Sequence, residues 1–285
     1  MSVEKYRHPL LFYSLSTIIP WTLWSVFAYT SHYASDNAAL VALGSILSVV
    51  GLAAPTAVAF WLIFSEPDLK RDLLGRLFNF PTVKPVYLVL TCFLMLASIL
   101  LAQAVSLLFG HSAAQFRFAE DFSFSAGLFP AWFMLLAAPL LEELAWHSYG
   151  TDCLRRRFSL LSTSLIFAFY WGIWHLPLSL IKGYYHSNVA ESGALYSINF
   201  IVSLFPYVLL MNWLYYKTGR NVLVAIVFHI TAGFFNEIFA THPDSKVIQT
   251  VLLTILAVIL ILTDRDFFLK REVRGQAVAG TTQTG

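Results

Sequence analysis

Eight long apolar stretches decide what this chain can fold into: residues 10–29, 38–64, 86–109, 126–144, 160–181, 195–216, 222–240 and 247–263. Most run for about 20 residues, and at 1.5 Å per residue a helix of that length crosses the roughly 30 Å of hydrocarbon in a bilayer. Within lipid, each backbone N–H must find its acceptor inside its own helix or around a closed barrel, and these stretches are about twice the length of a barrel strand. The sequence therefore predicts an all-α, polytopic membrane helical bundle of about eight transmembrane helices. Composition agrees: 58% of residues are hydrophobic, 12% are charged, and the mean hydropathy is +0.69, far from soluble-domain averages. No connecting stretch could hold a further domain, so residues 1–285 read as a single integral membrane domain.

Lys and Arg in short loops stay on the cytoplasmic side of a membrane. Taking the loops alternately along eight helices puts fifteen of the eighteen basic residues on one side, among them Lys70, Arg71, Arg76, Lys84, Arg155, Arg156 and Arg157. The other side holds Arg117, Lys182 and Lys246. Both termini are thus expected in the cytoplasm, in a prokaryotic plasma membrane. The first segment exceeds the apolar core of a signal peptide, about 7 to 15 residues, and no small-x-small site follows, so it reads as retained. The net charge of +2 is spread over membrane-proximal loops without a polybasic tract, which suits lipid head groups and gives no reason to expect nucleic acid as a partner. Cys92 and Cys153 fit neither a disulfide framework nor a metal cluster. The Gly-, Thr- and Gln-rich stretch 275–285 reads as a disordered tail.

Five ionisable residues interrupt the apolar segments, and all lie in the fourth, fifth and seventh: Glu142, Glu143, His175, His229 and Glu237. An unpaired acid or imidazole in hydrocarbon costs from about 3 to above 10 kcal/mol, so such groups face a partner or a water-filled cavity. Glu142 and Glu143 point about 100° apart on a helix. If Glu142 faces a cavity, Glu143 faces elsewhere, and His147, one turn on, is its natural partner. Alternatively, both acids sit at a helix end and snorkel to the interface beside Arg155. His175 lies just before Pro177, which should break the helix. His229, Gly233 and Asn236 share one face, positions seven apart differing by about 20°; the plain alternative is a small-residue packing face with polar glue. Depth sets a condition, because Glu142 lies near the cytoplasmic end of its segment and His175 near the far end of its own. They converge if the fourth helix runs on to about residue 157, or if the fifth breaks at Pro177.

A Glu pair, a His before a Pro and a second His, in that order on three segments, resemble one family. It is the CAAX prenyl protease and bacteriocin-processing family, also called Abi, of intramembrane endopeptidases. The family's motifs are Glu-Glu-x-x-x-Arg, Phe-x-x-x-His and His-x-x-x-Asn or His-x-x-x-Asp. Here they read Glu142-Glu143-Leu-Ala-Trp-His147, Trp171-Gly-Ile-Trp-His175 and His229-Ile-Thr-Ala-Gly233, within a resemblance that covers about 139–236. Three positions depart from the pattern. His147 replaces the arginine and can still bond Glu143, with a charge that depends on pH near neutrality. Trp171 replaces the phenylalanine and keeps an aromatic wall. Gly233 removes the terminal hydrogen-bond donor, for which Asn236 is the best substitute.

The resemblance implies an endopeptidase in which Glu142 is the general base and His175 helps orient the attacking water. His229, aided by Asn236, would bond the developing oxyanion, with Glu143, His147 and Trp171 in support. A second version within the family has Glu142, His175 and His229 hold Zn²⁺ with a position left open, and the sequence does not separate the two. The implied partners are membrane lipids and a peptide or lipidated protein substrate, either a prenylated CAAX-type C-terminus or a precursor peptide. Two other readings stand beside this one. A secondary transporter would use such acids and histidines to relay protons, although no repeated halves are visible. A proteolytically silent family member would act as a membrane binding or scaffold protein.

Overall fold

The computed structural model describes residues 3–33, 36–77, 79, 83–124 and 127–271; the tail expected over 275–285 lies outside them. A helix forms in each of the eight apolar segments, with four short helices between or after them. In chain order they are α1 (Pro9–Tyr33), α2 (Ala38–Phe64), α3 (Pro67–Leu77), α4 (Pro85–Ser106), α5 (Ala131–Ala145), α6 (Thr151–Arg155), α7 (Leu160–Trp174), α8 (Tyr185–Glu191), α9 (Ala194–Lys217), α10 (Val222–Glu237), α11 (Pro243–Thr263) and α12 (Arg265–Leu269). Among the described residues no strand forms, and β pairing is confined to an isolated bridge between Phe118 and Phe239. Local chemistry sets several starts. The Asn37 side chain accepts from the Ala39 and Leu40 amides at α2, Ser159 and Asn221 cap α7 and α10, and Pro85 and Pro243 open α4 and α11, each residue satisfying or lacking a donor that a helix start leaves unpaired.

By length and hydropathy, α1, α2, α4 with its continuation to Phe109, α9 and α11 qualify as membrane spans among the described residues. A sixth is broken: α7 and the tight turn Leu176–Leu180 bend by 85° into α8. The remaining two, α5 and α10, are 15 and 16 residues long. α5 packs between α2 and α10 and leaves Trp132, Leu136 and Leu140 exposed along its other face, and α10 also meets α4 and α9. A helix face turned to protein can carry polar side chains that a lipid-facing one cannot. The acids and imidazoles singled out above lie on these three irregular elements.

The apolar stretch of α5 ends near Leu144, but the helix does not. It passes through a π turn, Trp146–Gly150, into α6, and stays helical from 131 to 155. Glu142 therefore lies near the middle of a long helical run. At the other side, α7 stops at Trp174 and His175 caps it, with Pro177 opening the turn that follows. The fourth helix thus runs on to residue 155, while the fifth tightens after Trp174 and turns away only beyond Leu180, and Glu142 and His175 line one cavity. Neither acid snorkels: Glu142 is 6% exposed and Glu143 0%.

α1 and α2 form the most extensive helix pair, and glycines permit their approach. A Cβ on Gly44 would collide with the Phe27 ring and lie 2.8 Å from Thr30 Oγ1, and one on Gly51 would lie 2.8 Å from Trp24 Nε1. Small residues at such contacts let helix backbones pack closely in lipid. Gly44→Ala is expected to lower stability by about 1–3 kcal/mol through overpacking. Gly75→Ala in α3, where nothing lies within 4 Å of the added carbon, is the neutral comparison, read by thermal unfolding in detergent.

Candidate active site

Trp171 is the hub of the site. Its indole N–H donates to Glu142 Oε2 at 2.8 Å, and the Trp146 indole donates to the same oxygen at 3.3 Å. Both donors fall on Oε2, which leaves Oε1 to accept from water. The Trp171 ring lies 5.1 Å from the His175 ring and 5.3 Å from the His229 ring, so one indole separates the two imidazoles while orienting the acid. Glu142, Trp171, His175 and His229 line a single cavity of about 270 Å³, together with Gly233 and Asn236. Its remaining wall is largely apolar, drawn from Met95 of α4, Met134 of α5, Leu204 of α9 and Leu253 of α11.

Glu143 points away from the cavity and is fully buried. One oxygen bonds His147 Nδ1; the other bonds His229 Nδ1 at 2.7 Å. The second contact was not visible in the sequence, because His229 is 86 positions away. The far side of His147 is fixed as well. Ser164 Oγ donates to the Leu160 carbonyl at 2.9 Å, so its oxygen accepts from Asn212 Nδ2 at 2.9 Å. That turns Asn212 Oδ1 toward His147 Nε2, also at 2.9 Å. Both nitrogens of His147 therefore meet oxygens of buried side chains. At the position of the family's arginine, the imidazole bridges Glu143 and Asn212.

The π turn that carries His147 is itself held from outside. Arg76 of α3 donates to the His147 carbonyl at 2.9 Å and the Ser148 carbonyl at 2.5 Å, and pairs with Asp72 at 3.1 Å and Asp152 at 3.3 Å. A π turn leaves carbonyls out of the regular ladder, and such turns concentrate at functional sites. Here a buried guanidinium supplies the missing donors.

His175 Nδ1 lies 2.6 Å from the Trp171 carbonyl. A carbonyl only accepts, so Nδ1 carries the proton and Nε2 is left as an acceptor in the neutral ring. His186 of α8 stacks on His175 at 4.8 Å and 23°, a neighbour not readable from helix periodicity because it lies beyond the break in the fifth span. Asn236 lines the same cavity, but its amide donates to Tyr185 OH at 3.2 Å and to Glu237 Oε1 at 3.4 Å. Glu237 in turn accepts from the Ser123 amide at 3.0 Å and its hydroxyl at 2.6 Å, closing the end of α10 against the loop that leads into α5. A Cβ on Gly233 would meet Leu135 alone, at an ordinary 3.5 Å, so this position is open toward the cavity.

The donor chemistry of Glu142, His175 and His229 suits zinc, which takes carboxylate oxygens and imidazole nitrogens at about 2.0–2.2 Å. Their spacing does not: among the described residues, their ligand atoms do not all lie within 4.8 Å of one another. In this arrangement the trio does not form a one-ion site.

A bundle of membrane-length apolar helices that brings a carboxylate and two imidazoles to one cavity marks an integral membrane protein with a polar site within the bundle. Comparison with known proteins narrows that class, and the chain belongs to the CAAX prenyl protease and bacteriocin-processing family. Residues 124–235 match the family model described as type II CAAX prenyl endopeptidase Rce1-like. The chain is also similar to CAAX prenyl protease 2 of Methanococcus maripaludis, with 32% identity over 272 residues that cover 94% of this chain and 99% of the relative. The matched region holds the Glu pair and both histidines of the site; Asn236 falls just beyond it.

The two acids should behave oppositely in unfolding experiments. Glu143→Leu strips two buried imidazoles of a shared acceptor and should cost about 3–5 kcal/mol. Glu142→Gln keeps an oxygen for both indoles and should cost less than about 1 kcal/mol. Equal losses in thermal unfolding would contradict the arrangement.

Proposed function

We propose that this protein hydrolyses peptide bonds near the C-terminus of membrane-associated substrates, with prenylated CAAX-type peptides as the substrate class. The observation that carries the reading is the shared cavity: Glu142, His175 and His229 arrive from three separate helices and line one volume. Family membership supports the reaction class, and the name of the Methanococcus relative supports the prenylated substrate. The apolar wall from Met95, Met134, Leu204 and Leu253 offers a surface for an isoprenoid or apolar side chain.

In this reading, a water in the cavity donates hydrogen bonds to Glu142 Oε1 and His175 Nε2. As the water oxygen attacks the scissile carbonyl carbon, Glu142 takes its proton, a general-base step typically contributing about 10²–10⁴-fold. The carbonyl π electrons move onto oxygen. His229, whose Nδ1–H is held by Glu143, donates to this oxyanion from Nε2 as the imidazolium, a contribution of about 3–4 kcal/mol, and Asn236 adds a second donor by releasing Tyr185 or Glu237. When the tetrahedral intermediate collapses, the C–N bond breaks and protonated Glu142 returns its proton to the departing amine. Trp171 keeps Glu142 aimed throughout, and its ring excludes bulk water between the imidazoles.

The test compares wild type with Glu142→Gln and His229→Ala in detergent against a farnesylated CAAX peptide. Glu142→Gln should lower kcat by about 10³-fold, and His229→Ala by about 10²–10³-fold, with folded protein verified by thermal unfolding. Cleavage retained by Glu142→Gln would reject the base assigned here.

A further inference from the structure

A second constellation of ligating side chains lies outside the cavity, where α4 ends and α11 begins. His111 follows α4, and His242 and Asp244 flank the first residue of α11. One ligand atom from each of the three lies within 4.8 Å of the others. His111 Nε2 is 3.3 Å from Asp244 Oδ2, and His242 Nδ1 is 3.6 Å from the same oxygen; Nδ1 also accepts the Asp244 amide at 3.2 Å as the cap of α11, so His242 meets an ion by releasing that cap or by turning its Nε2 inward. A tetrahedral zinc ion with bonds of about 2.0–2.1 Å separates its ligands by about 3.3 Å, so these distances are already close to the edges of a coordination polyhedron. The two imidazole rings lie 4.3 Å apart.

The setting resembles a built site in two further respects. Tyr196 OH donates to Asp244 Oδ1 at 2.8 Å, which leaves Oδ2 for the shared point and supplies the outer hydrogen bond that orients a metal-binding carboxylate. The segments that bear the ligands are tied together beneath them. Gln103 Nε2 donates to Thr241 Oγ1 at 2.8 Å, and Ser245 Oγ donates to Gln115 Oε1 at 2.6 Å. The segment that bears His111 is thereby held against the distant one that bears His242 and Asp244 before any ion arrives, which limits the ordering cost of binding. His111, His242 and Asp244 are all partly exposed, which gives an ion access and leaves room for water in the remaining positions.

We propose that His111, His242 and Asp244 form a divalent transition-metal site, with Zn²⁺ as its natural occupant, clasping the loop after α4 to the start of α11. Two imidazoles and one carboxylate form a donor set suited to Zn²⁺ over Mg²⁺ or Ca²⁺, which prefer oxygen ligands alone. The site is separate from the cavity and does not depend on the proposed hydrolytic reaction.

The experiment measures Zn²⁺ binding by isothermal titration calorimetry and Co²⁺ binding by visible absorption, using the full chain in detergent without a histidine tag. Wild type should bind one Zn²⁺ here, and its thermal midpoint should rise with Zn²⁺ concentration. His111→Ala and His242→Asn should each weaken this binding by more than about 100-fold, while Tyr196→Phe should weaken it by about tenfold. The His242→Asn variant keeps a helix-capping side chain, so its loss of affinity is not a loss of fold. Glu142→Gln should bind Zn²⁺ at this site as wild type does, which separates it from any ion in the cavity. Undiminished binding in both histidine variants, or no Zn²⁺ binding by wild type, would overturn the proposal.

Discussion

The buried carboxylate of Glu143, shared between His147 and His229, is the interaction on which the rest of the site depends. A carboxylate inside a helix bundle is tolerable only if its hydrogen-bonding capacity is filled and its charge is met. Here one oxygen goes to each imidazole. The chain of contacts then runs outward from His147 through Asn212 to Ser164, and along the backbone of the π turn to Arg76. Inward, it ends at His229 on the cavity wall. Glu143 thus couples the framework to the cavity without entering it, while its neighbour Glu142 keeps an oxygen free for water. The 100° rotation between adjacent helix positions produces this division.

The site also explains why the bundle is irregular where it is. The long apolar helices α1, α2, α4, α9 and α11 form the casing, and the acids and imidazoles of the site lie on α5, the broken α7–α8 unit and α10. Each irregularity has a consequence at the cavity. The π turn extends α5 so that Glu142 lies mid-helix, and the break at His175 frees an imidazole at a helix end. The shortness of α10 lets its polar C-terminal turn close on Ser123. Irregular backbone at membrane depth is acceptable when protein surrounds it, and the casing helices supply that surrounding.

Much of this was legible from the sequence because a bilayer simplifies folding. Length and hydropathy located all eight helical segments, Pro177 announced the break in α7, and the i,i+4 spacing of Glu143 and His147 paired them. Periodicity within a helix cannot report which residue of another helix faces it, so the Glu143–His229 bond, the Asn212–Ser164 support and the stacking of His186 on His175 were not readable. Neither was the π turn, since the residues Trp146 to Gly150 carry no pattern that distinguishes a wider turn from an ordinary one. Arg76 counted as one of many cytoplasmic basic residues; its burial beneath the π turn follows from the docking of α3, a helix too short and polar to register as a span. The shortfall of α5 and α10 as spans was hidden because the apolar stretches run past the ends of the helices.

The central claim is that one acid and two imidazoles act together on a substrate carbonyl inside the bundle. The most direct measurement is an experimental structure with a peptidyl difluoroketone, whose hydrate carries two oxygens on the carbon that stands in for the scissile carbonyl. The account predicts one oxygen within about 3 Å of both Glu142 and His175, and the other within about 3 Å of His229. A hydrate bound outside the cavity, or inside it with neither oxygen near Glu142, would contradict it.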